Sequence, residues 1–507
     1  MADTMKALIA THPETAPAIG APDRPWLSYG GLRALSEQTM HSLRAMGIGP
    51  SDRVAIVLPN GPEMATTFVC IAQAAVTAPL NPSYREDEYA FYLEDLKARA
   101  IVLADGEEGP AYAAAKRLGI AILRVHVPEG AEAGVFALQG DAADTPASGE
   151  PAADDVALIL HTSGTTSRPK IVPLLQSNVA ASAENIAASL DLTAKDRCLN
   201  VMPLFHIHGL VAAVSASLSA GASVFCTAGF NAMNFFAMLK EARPTWYTAV
   251  PTMHQAILTR AKRNADVIAD VPLRFLRSSS ASLPAQVMQE LNKTFGAPVI
   301  EAYGMTEAAH QMCCNRMDLQ KPGSVGVAAG PLVRIAHETE NQLVDGTGEV
   351  CISGPNVTPG YESNPEANTK NFFEADGHRW FRTGDQGAFD KDGFLHLTGR
   401  LKEIINRGGE KVSPLEVDGV LLDHPAIAQV VTFALPHPKL GEEVAAAVVL
   451  KDGSEATERD IRDFALERLA DFKAPRKVII LDEIPKGATG KMQRIGLAEK
   501  LGLVETT

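Results

Sequence analysis

The sequence is short of positive charge. Its 507 residues carry 46 Lys and Arg against 60 Asp and Glu, a formal net charge of −14. A protein that lives on the DNA backbone or on anionic lipid needs clustered positive charge, so neither partner is expected. Any polyanionic ligand must instead be met by local basic groups. Cysteine is also scarce: the six residues Cys70, Cys198, Cys226, Cys313, Cys314 and Cys351 include no Cys-x-x-Cys pair and no zinc-ligand spacing. That excludes a disulfide scaffold and predicts reduced thiols in a cytoplasmic protein. The N-terminus lacks the basic segment and apolar core of a secretory signal, and Val504–Thr507 is not a peroxisomal address, in keeping with that expectation. Internal repeats and low-complexity tracts are absent. A stretch without Asp, Glu, Lys or Arg runs from Cys198 to Leu239, but Pro203, His206, His208, Gly209, Gly221, Gly229 and several serines dilute it. A buried core segment is expected there, not a membrane span.

What is present describes a globular chain, with 46% hydrophobic and 21% charged residues. The length implies about three folding units, or one large multi-lobed unit and a smaller one. Short apolar runs alternate with amphipathic stretches: Arg53–Leu58, Val76–Leu80 and Ala100–Ala104 read as buried strands, and Pro62–Ala75 as a helix. The alternation predicts an α/β fold with largely parallel sheets. Segment 105–155, rich in Ala, Gly and Asp, is expected at the periphery. Residues 401–507 carry 33 charged side chains in 107, against 73 in the preceding 400. A small separate domain buries less of its chain, so a boundary is expected at Gly399–Lys402, dividing residues 1–400 from 401–507.

The strongest local signal is Val156–His161 followed by Thr162-Ser-Gly-Thr-Thr-Ser-Arg-Pro-Lys170. A strand runs into a segment with five hydroxyl side chains, one Gly and a terminal basic pair, the equipment for wrapping a polyphosphate. It is not a Walker A loop, because Gly164 has no second Gly before Lys170. Four further segments are expected to pack chemistry into loops: Glu301-Ala-Tyr-Gly-Met-Thr-Glu307, Trp380-Phe-Arg-Thr-Gly-Asp385, Thr398–Lys411 and Lys486-Gly-Ala-Thr-Gly-Lys491.

In this order the segments resemble the adenylate-forming (AMP-binding) superfamily of acyl-CoA synthetases, peptide-synthetase adenylation domains and beetle luciferases, over roughly residues 25–500. Within it the chain is most similar to the oxalate–CoA ligases, through His161–Lys170, Pro203–Gly209, Thr245–Pro251, Ser278–Leu283 and Gly354–Thr358. Ile171 departs from the pattern, standing where the superfamily usually has Gly; this could stiffen the exit of the loop but removes no donor. The resemblance implies a large N-terminal body of α/β subdomains with a β-rich subdomain, and a small mobile α+β C-terminal domain. It also implies a reaction in two halves. A carboxylate attacks the α-phosphorus of ATP, giving an acyl-adenylate and pyrophosphate, and the thiol of coenzyme A then displaces AMP.

The same resemblance assigns roles. Lys491 resembles the catalytic lysine that bridges the attacking carboxylate and the α-phosphate, with His206 and Thr306 also catalytic. Thr162, Ser163, Gly164, Thr165, Thr166 and Lys170 would wrap the phosphates. Tyr303 would flank the adenine, Thr306 bond the α-phosphate, and Asp385 and Arg400 hold the ribose, with Ala281, Glu301 and Ala302 as further nucleotide contacts. Glu307 resembles the Mg²⁺ contact, and Lys402 the hinge about which the small domain rotates. Gly408, Gly409 and Lys411 would then approach the thiol tunnel, and Arg476 the phosphates of coenzyme A. Each could also be an ordinary cap or a solvated surface charge.

The acyl pocket decides the acid. A fatty-acid enzyme needs an apolar tunnel, whereas a dicarboxylate leaves a second charge that needs donors once desolvated. His206, Ser280 and His310 occupy the acyl end by the motif and can donate hydrogen bonds, which favours a small acidic substrate such as oxalate. His208 reads as a core histidine. Malonate or another short acid is the alternative within this chemistry. A carrier-loading adenylation module is a third reading, disfavoured because no carrier segment is expected after Lys491. A non-catalytic nucleotide-binding protein is a fourth. The expected partners are small molecules only, in a monomer or small homo-oligomer.

Overall fold

The computed structural model describes residues 2–162, 169–485 and 492–504. Ser163, Gly164, Thr165, Thr166 and Lys491 lie outside the described residues. The body holds two large sheets. In the first, seven strands run in the order Ala137–Gln139, Ala121–His126, Ala100–Ala104, Arg53–Val57, Val76–Pro79, Val156–Thr162 and Lys170–Leu175. Its inner pairings are parallel and its two edges antiparallel. Segment 105–155 supplies the two strands at one edge of that sheet and helix Pro110–Leu118, the peripheral place expected of it. In the second, nine-stranded sheet, a parallel core carries Val299–Met305, Phe275–Ser278, Trp246–Ala249, Arg197–Asn200 and Ser223–Cys226 in spatial order.

Helix Pro62–Ala72 packs against strands of both sheets. Every residue in it but Glu63 is buried, which is why apolar residues occur on all its faces, with Thr66 bonding its hydroxyl to backbone carbonyls. It ends three residues before the expected Ala75, because Ala74 and Ala75 make the turn into the next strand. The uncharged stretch from Cys198 breaks into a strand end, a π-helix at His208–Ser215, a strand at Ser223–Cys226 and most of helix Phe235–Ala242. Among the described residues, no helix is long and apolar enough to cross a membrane. All six cysteines are buried free thiols.

A third, six-stranded antiparallel sheet joins Leu332–Ala336, Leu343–Val344, Gly348–Ser353, Phe372–Ala375, His378–Phe389 and Leu395–Arg400. Sheet membership then changes. Ile405–Arg407, Glu410–Val412, Ile427–His437, Gly441–Leu450 and Lys477–Ile480 form a separate five-stranded sheet with its own core around Val417, Ile427, Val444 and Ile461. The fold is therefore mixed α/β, with parallel-rich sheets, a β-rich subdomain and a smaller α+β C-terminal part.

Candidate active site

Two of the expected loops are strands, and a third, Thr398–Lys411, is largely made of parts of the strands Leu395–Arg400, Ile405–Arg407 and Glu410–Val412. Glu301–Met305 continues strand Val299–Met305, and Trp380–Asp385 lies within strand His378–Phe389. The reason is pairing. The first is zipped antiparallel to His310–Cys314; the second lies between Gly348–Ser353 and Phe372–Ala375, and its end residue Asp385 pairs with Arg400. Gly304 permits the first of these: a Cβ there would stand 1.7 Å from the His310 carbonyl oxygen, so only glycine lets the strands meet. Tyr303 and Asp385 thus sit within paired strands.

Thr162 and Lys170, expected to meet phosphate, are register partners on adjacent antiparallel strands. Ile171 continues that strand, is buried, and accepts a backbone hydrogen bond from Glu362, so the departure from glycine extends the sheet. The Lys170 ammonium lies 4.3 Å from the centroid of the Tyr361 ring. The Tyr361 hydroxyl donates to Glu307 Oε1 at 2.7 Å. Burial holds the Glu307 carboxyl above its ordinary range, opposed by the tyrosine hydrogen bond and by Lys170 and Arg400. Burial also lowers the Lys170 pKa, opposed by Glu307. Gly354–Thr358 fastens this corner: Thr358 N–H donates to the Glu307 carbonyl at 2.8 Å, its hydroxyl to Pro173 at 2.6 Å, and Asn356 to Ala308 at 2.8 Å. Thr306 opens the short turn that carries Glu307.

Beside it, Asp385 and Arg400 are opposed across adjacent strands with Nε–Oδ1 at 3.5 Å, and Tyr303 donates its hydroxyl to Asp385. Gly384, with φ of 77°, turns the backbone just before Asp385. Desolvation, reinforced by the Asp385 charge, holds the Tyr303 phenol protonated and therefore a donor. The sequence-predicted Tyr303, Asp385 and Arg400 are brought together.

Glu301 is placed differently from a side-chain ligand. Its carboxyl is 2% exposed, accepts the Leu283 N–H at 2.9 Å, and is pushed up to about 8 by burial. It pins the loop that carries Ser280 and Ala281. The backbone carbonyls of Glu301 and Ala302 accept from Asn315 and Ser279.

Ser280 and His310, the residues expected at an acyl end, are brought together, and His208 with them. Ser280, Ala309 and His310 hold φ of 73°, 47° and 103°, a concentration of left-handed non-glycine backbone that structures tolerate chiefly where function requires it. The Ser280 hydroxyl stands 3.0 Å from His208 Nδ1, and the rings of His208 and His310 are 5.1 Å apart. His208 Nε2 meets Thr248 Oγ1 at 2.6 Å and Arg277 Nη1 at 3.4 Å. Arg277 is fully buried, bonds Gln311 Oε1 at 3.1 Å, and has no carboxylate partner among the described residues. Burial pulls its pKa down to about 10, so it stays charged at neutral pH. The expectation that His208 is only a core residue is thus incomplete: it is buried, but its two ring nitrogens join Ser280 to Thr248 and Arg277. His206, partly buried, holds its ring tilted against that of Phe205 just before the π-helix, a form frequent at functional sites.

The residues expected at coenzyme A stand apart from this cluster. Gly408 and Gly409, with φ of 61° and 98°, make the turn between the first two strands of the C-terminal sheet. Lys411 pairs with Glu338 of the body, and Arg476 with Asp471. Lys402 lies between the last strand of the body and Ile405, within electrostatic reach of Lys170. Sequence reasoning missed Thr248, Arg277, Gln311 and Tyr361. Thr248 and Arg277 lie in or beside quoted motifs, but a Thr or Arg in a strand carries no sign that its side chain turns inward.

A family profile described as AMP-binding enzyme matches residues 6–362, and one described as AMP-binding enzyme C-terminal domain matches residues 416–491. The chain is 45% identical over 492 residues to an oxalate–CoA ligase of Arabidopsis thaliana, covering 93% of this chain and 95% of that one. It is 42% identical over 476 residues to an oxalate–CoA ligase of Saccharomyces cerevisiae, covering 88% and 86%. Among solved structures, ATP-bound MatB from Rhodopseudomonas palustris superposes with a TM-score of 0.87 at 28% identity, covering 99% of each chain.

Proposed function

Because the chain belongs to the AMP-binding enzyme family, we propose that it is an ATP-dependent acid–thiol ligase that joins oxalate to coenzyme A through an acyl-adenylate, releasing AMP and pyrophosphate. The observation that carries the choice of acid is the polar acyl end. Ser280, His208 and His310, backed by a buried guanidinium, form a polar cluster, which suits a small acid, whereas a fatty-acid enzyme would need an apolar wall. The identities to two oxalate–CoA ligases support the same choice.

In this reading the chain divides near Gly399–Lys402 into an N-terminal nucleotide- and acyl-binding body and a C-terminal lid that swings about Lys402. Thr162, Lys170 and the residues Ser163, Gly164, Thr165 and Thr166 cradle the phosphates. Glu307, a buried carboxylate near Lys170, would hold Mg²⁺, which would supply positive charge against the phosphates. Asp385, an acceptor-only carboxylate, takes the ribose hydroxyls with Arg400 beside it. Tyr303 flanks the adenine, with Ala281, Glu301 and Ala302 near it, and Thr306 bonds the α-phosphate. Lys491 stabilises the charge that builds as the acid attacks phosphorus, after which Gly408, Gly409, Lys411 and Arg476 receive coenzyme A. His206, Ser280 and His310 hold the acid.

Pyrophosphate release in the presence of coenzyme A, compared across oxalate, malonate, acetate, glyoxylate and a medium-chain fatty acid, tests the proposal. Oxalate is expected to give the highest kcat/KM. Faster turnover of acetate or the fatty acid refutes the choice of acid, and release of phosphate in place of pyrophosphate refutes the reaction class.

A further inference from the structure

The relay behind Ser280 has a direction. An arginine guanidinium donates hydrogen bonds and accepts none. Arg277 Nη1 approaches both His208 Nε2, at 3.4 Å, and Thr248 Oγ1, at 3.5 Å, so both of those atoms present a lone pair to it. With its oxygen accepting from Arg277, the Thr248 hydroxyl turns its own proton to His208 Nε2, 2.6 Å away. Nε2 is then an acceptor and the ring proton resides on Nδ1. Nδ1 in turn donates to Ser280 Oγ at 3.0 Å. Ser280 has accepted from behind, and it stands partly exposed at the rim while His208 and Arg277 are buried. Its hydroxyl proton is left for whatever occupies the acyl end.

We propose that Arg277, Thr248 and His208 are positioning residues that fix Ser280 as a hydrogen-bond donor, so that the acyl end selects an ionised carboxylate oxygen over a neutral or donating group. The Gln311 contact holds the far side of the guanidinium and keeps it aimed at the relay. The left-handed backbone of Ser280, two residues beyond the end of strand Phe275–Ser278, belongs to the same device, since it accompanies the turn that sets the hydroxyl against His208.

This inference rests on the acyl-end reading given above, and its test separates the two. In the full-length enzyme labelled with ¹⁵N-histidine, and with His208→Gln used to assign the resonance, His208 is expected as the neutral tautomer protonated at Nδ1, with no acid added. A ring protonated at Nε2, or at both nitrogens, overturns the relay whatever the substrate. For the acid that the pyrophosphate screen selects, Thr248→Val is expected to raise KM about tenfold, the loss of roughly one charge-reinforced hydrogen bond. Its KM for ATP should stay unchanged, and Thr248→Ser should recover most of the loss. An equal rise in KM for ATP, or failure of the serine variant to recover, assigns Thr248 to packing alone and overturns the proposal. Selection of malonate over oxalate would refute the choice of acid while leaving the tautomer result intact.

Discussion

Glu301 gives the sharpest physical prediction. Its carboxyl is fully buried, makes one hydrogen bond to the Leu283 N–H, and is pushed up to about 8, against an unfolded value of 4.5. A carboxyl whose folded pKa is raised favours the fold most below the unfolded pKa, and that advantage is lost as pH rises through the folded pKa. Between about pH 5.5 and 7.5 the unfolded chain is ionised here and the folded chain is not, so stability falls by ~1.4 kcal/mol per pH unit, about 2.7 kcal/mol in all. Glu301→Gln keeps an acceptor for Leu283 and cannot ionise, so it removes this slope. For a body of about 400 residues, 2.7 kcal/mol corresponds to ~3 °C in Tm. The assay is thermal unfolding of both proteins across that range. The variant is expected to gain ~3 °C on the wild type between the two ends, and to keep the Ser280–Leu283 loop in place. Parallel Tm curves for the two proteins would refute the argument, because they would mean that Glu301 ionises in the folded state as readily as in water.

Three further outcomes are expected. Lys491→Ala should lower ATP–pyrophosphate exchange by at least the ~10²–10³ seen when a preorganised charge stabiliser is removed, with little change in Tm; near-normal exchange would remove Lys491 from the adenylation step. Gly304→Ala, whose Cβ would stand 1.7 Å from the His310 carbonyl oxygen, should force the two strands apart and cost both stability and binding of the acid, read as a fall in Tm together with a rise in KM for the acid. All six thiols are buried and desolvation raises the pKa of each, so a thiol reagent should label the native enzyme slowly and completely only in denaturant; rapid native labelling of any one cysteine would contradict its placement.

Much of the fold was legible in the sequence because its signals are periodic and local. The apolar runs at Arg53, Val76 and Ala100 became central parallel strands, since such strands are buried on both faces and must be continuously hydrophobic. The helix from Pro62 carries apolar residues on all its faces for the same reason. The loops assigned to Glu301–Met305 and Trp380–Asp385 were misplaced because Gly, Asp and Thr signal turns in isolation. Whether such a segment is extended depends on partner strands, His310–Cys314 for the first and Gly348–Ser353 with Phe372–Ala375 for the second, that local sequence does not announce.

The same division runs through the candidate site. The sequence by itself determined which side chains are available: the hydroxyl-rich segment ending in Lys170, the pair Asp385 and Arg400, Tyr303, Glu307, Ser280 and His310, each carried by a motif whose residue types suit phosphate, ribose, metal or carboxylate. Only the tertiary structure decided how they are held. Tyr361 reaches Glu307 from 54 positions along the chain, and Arg277 meets His208 from 69. A buried guanidinium aimed at a histidine is a property of packing, in which desolvation and the one-way donor chemistry of arginine set the proton positions, and no run of neighbouring residues encodes it.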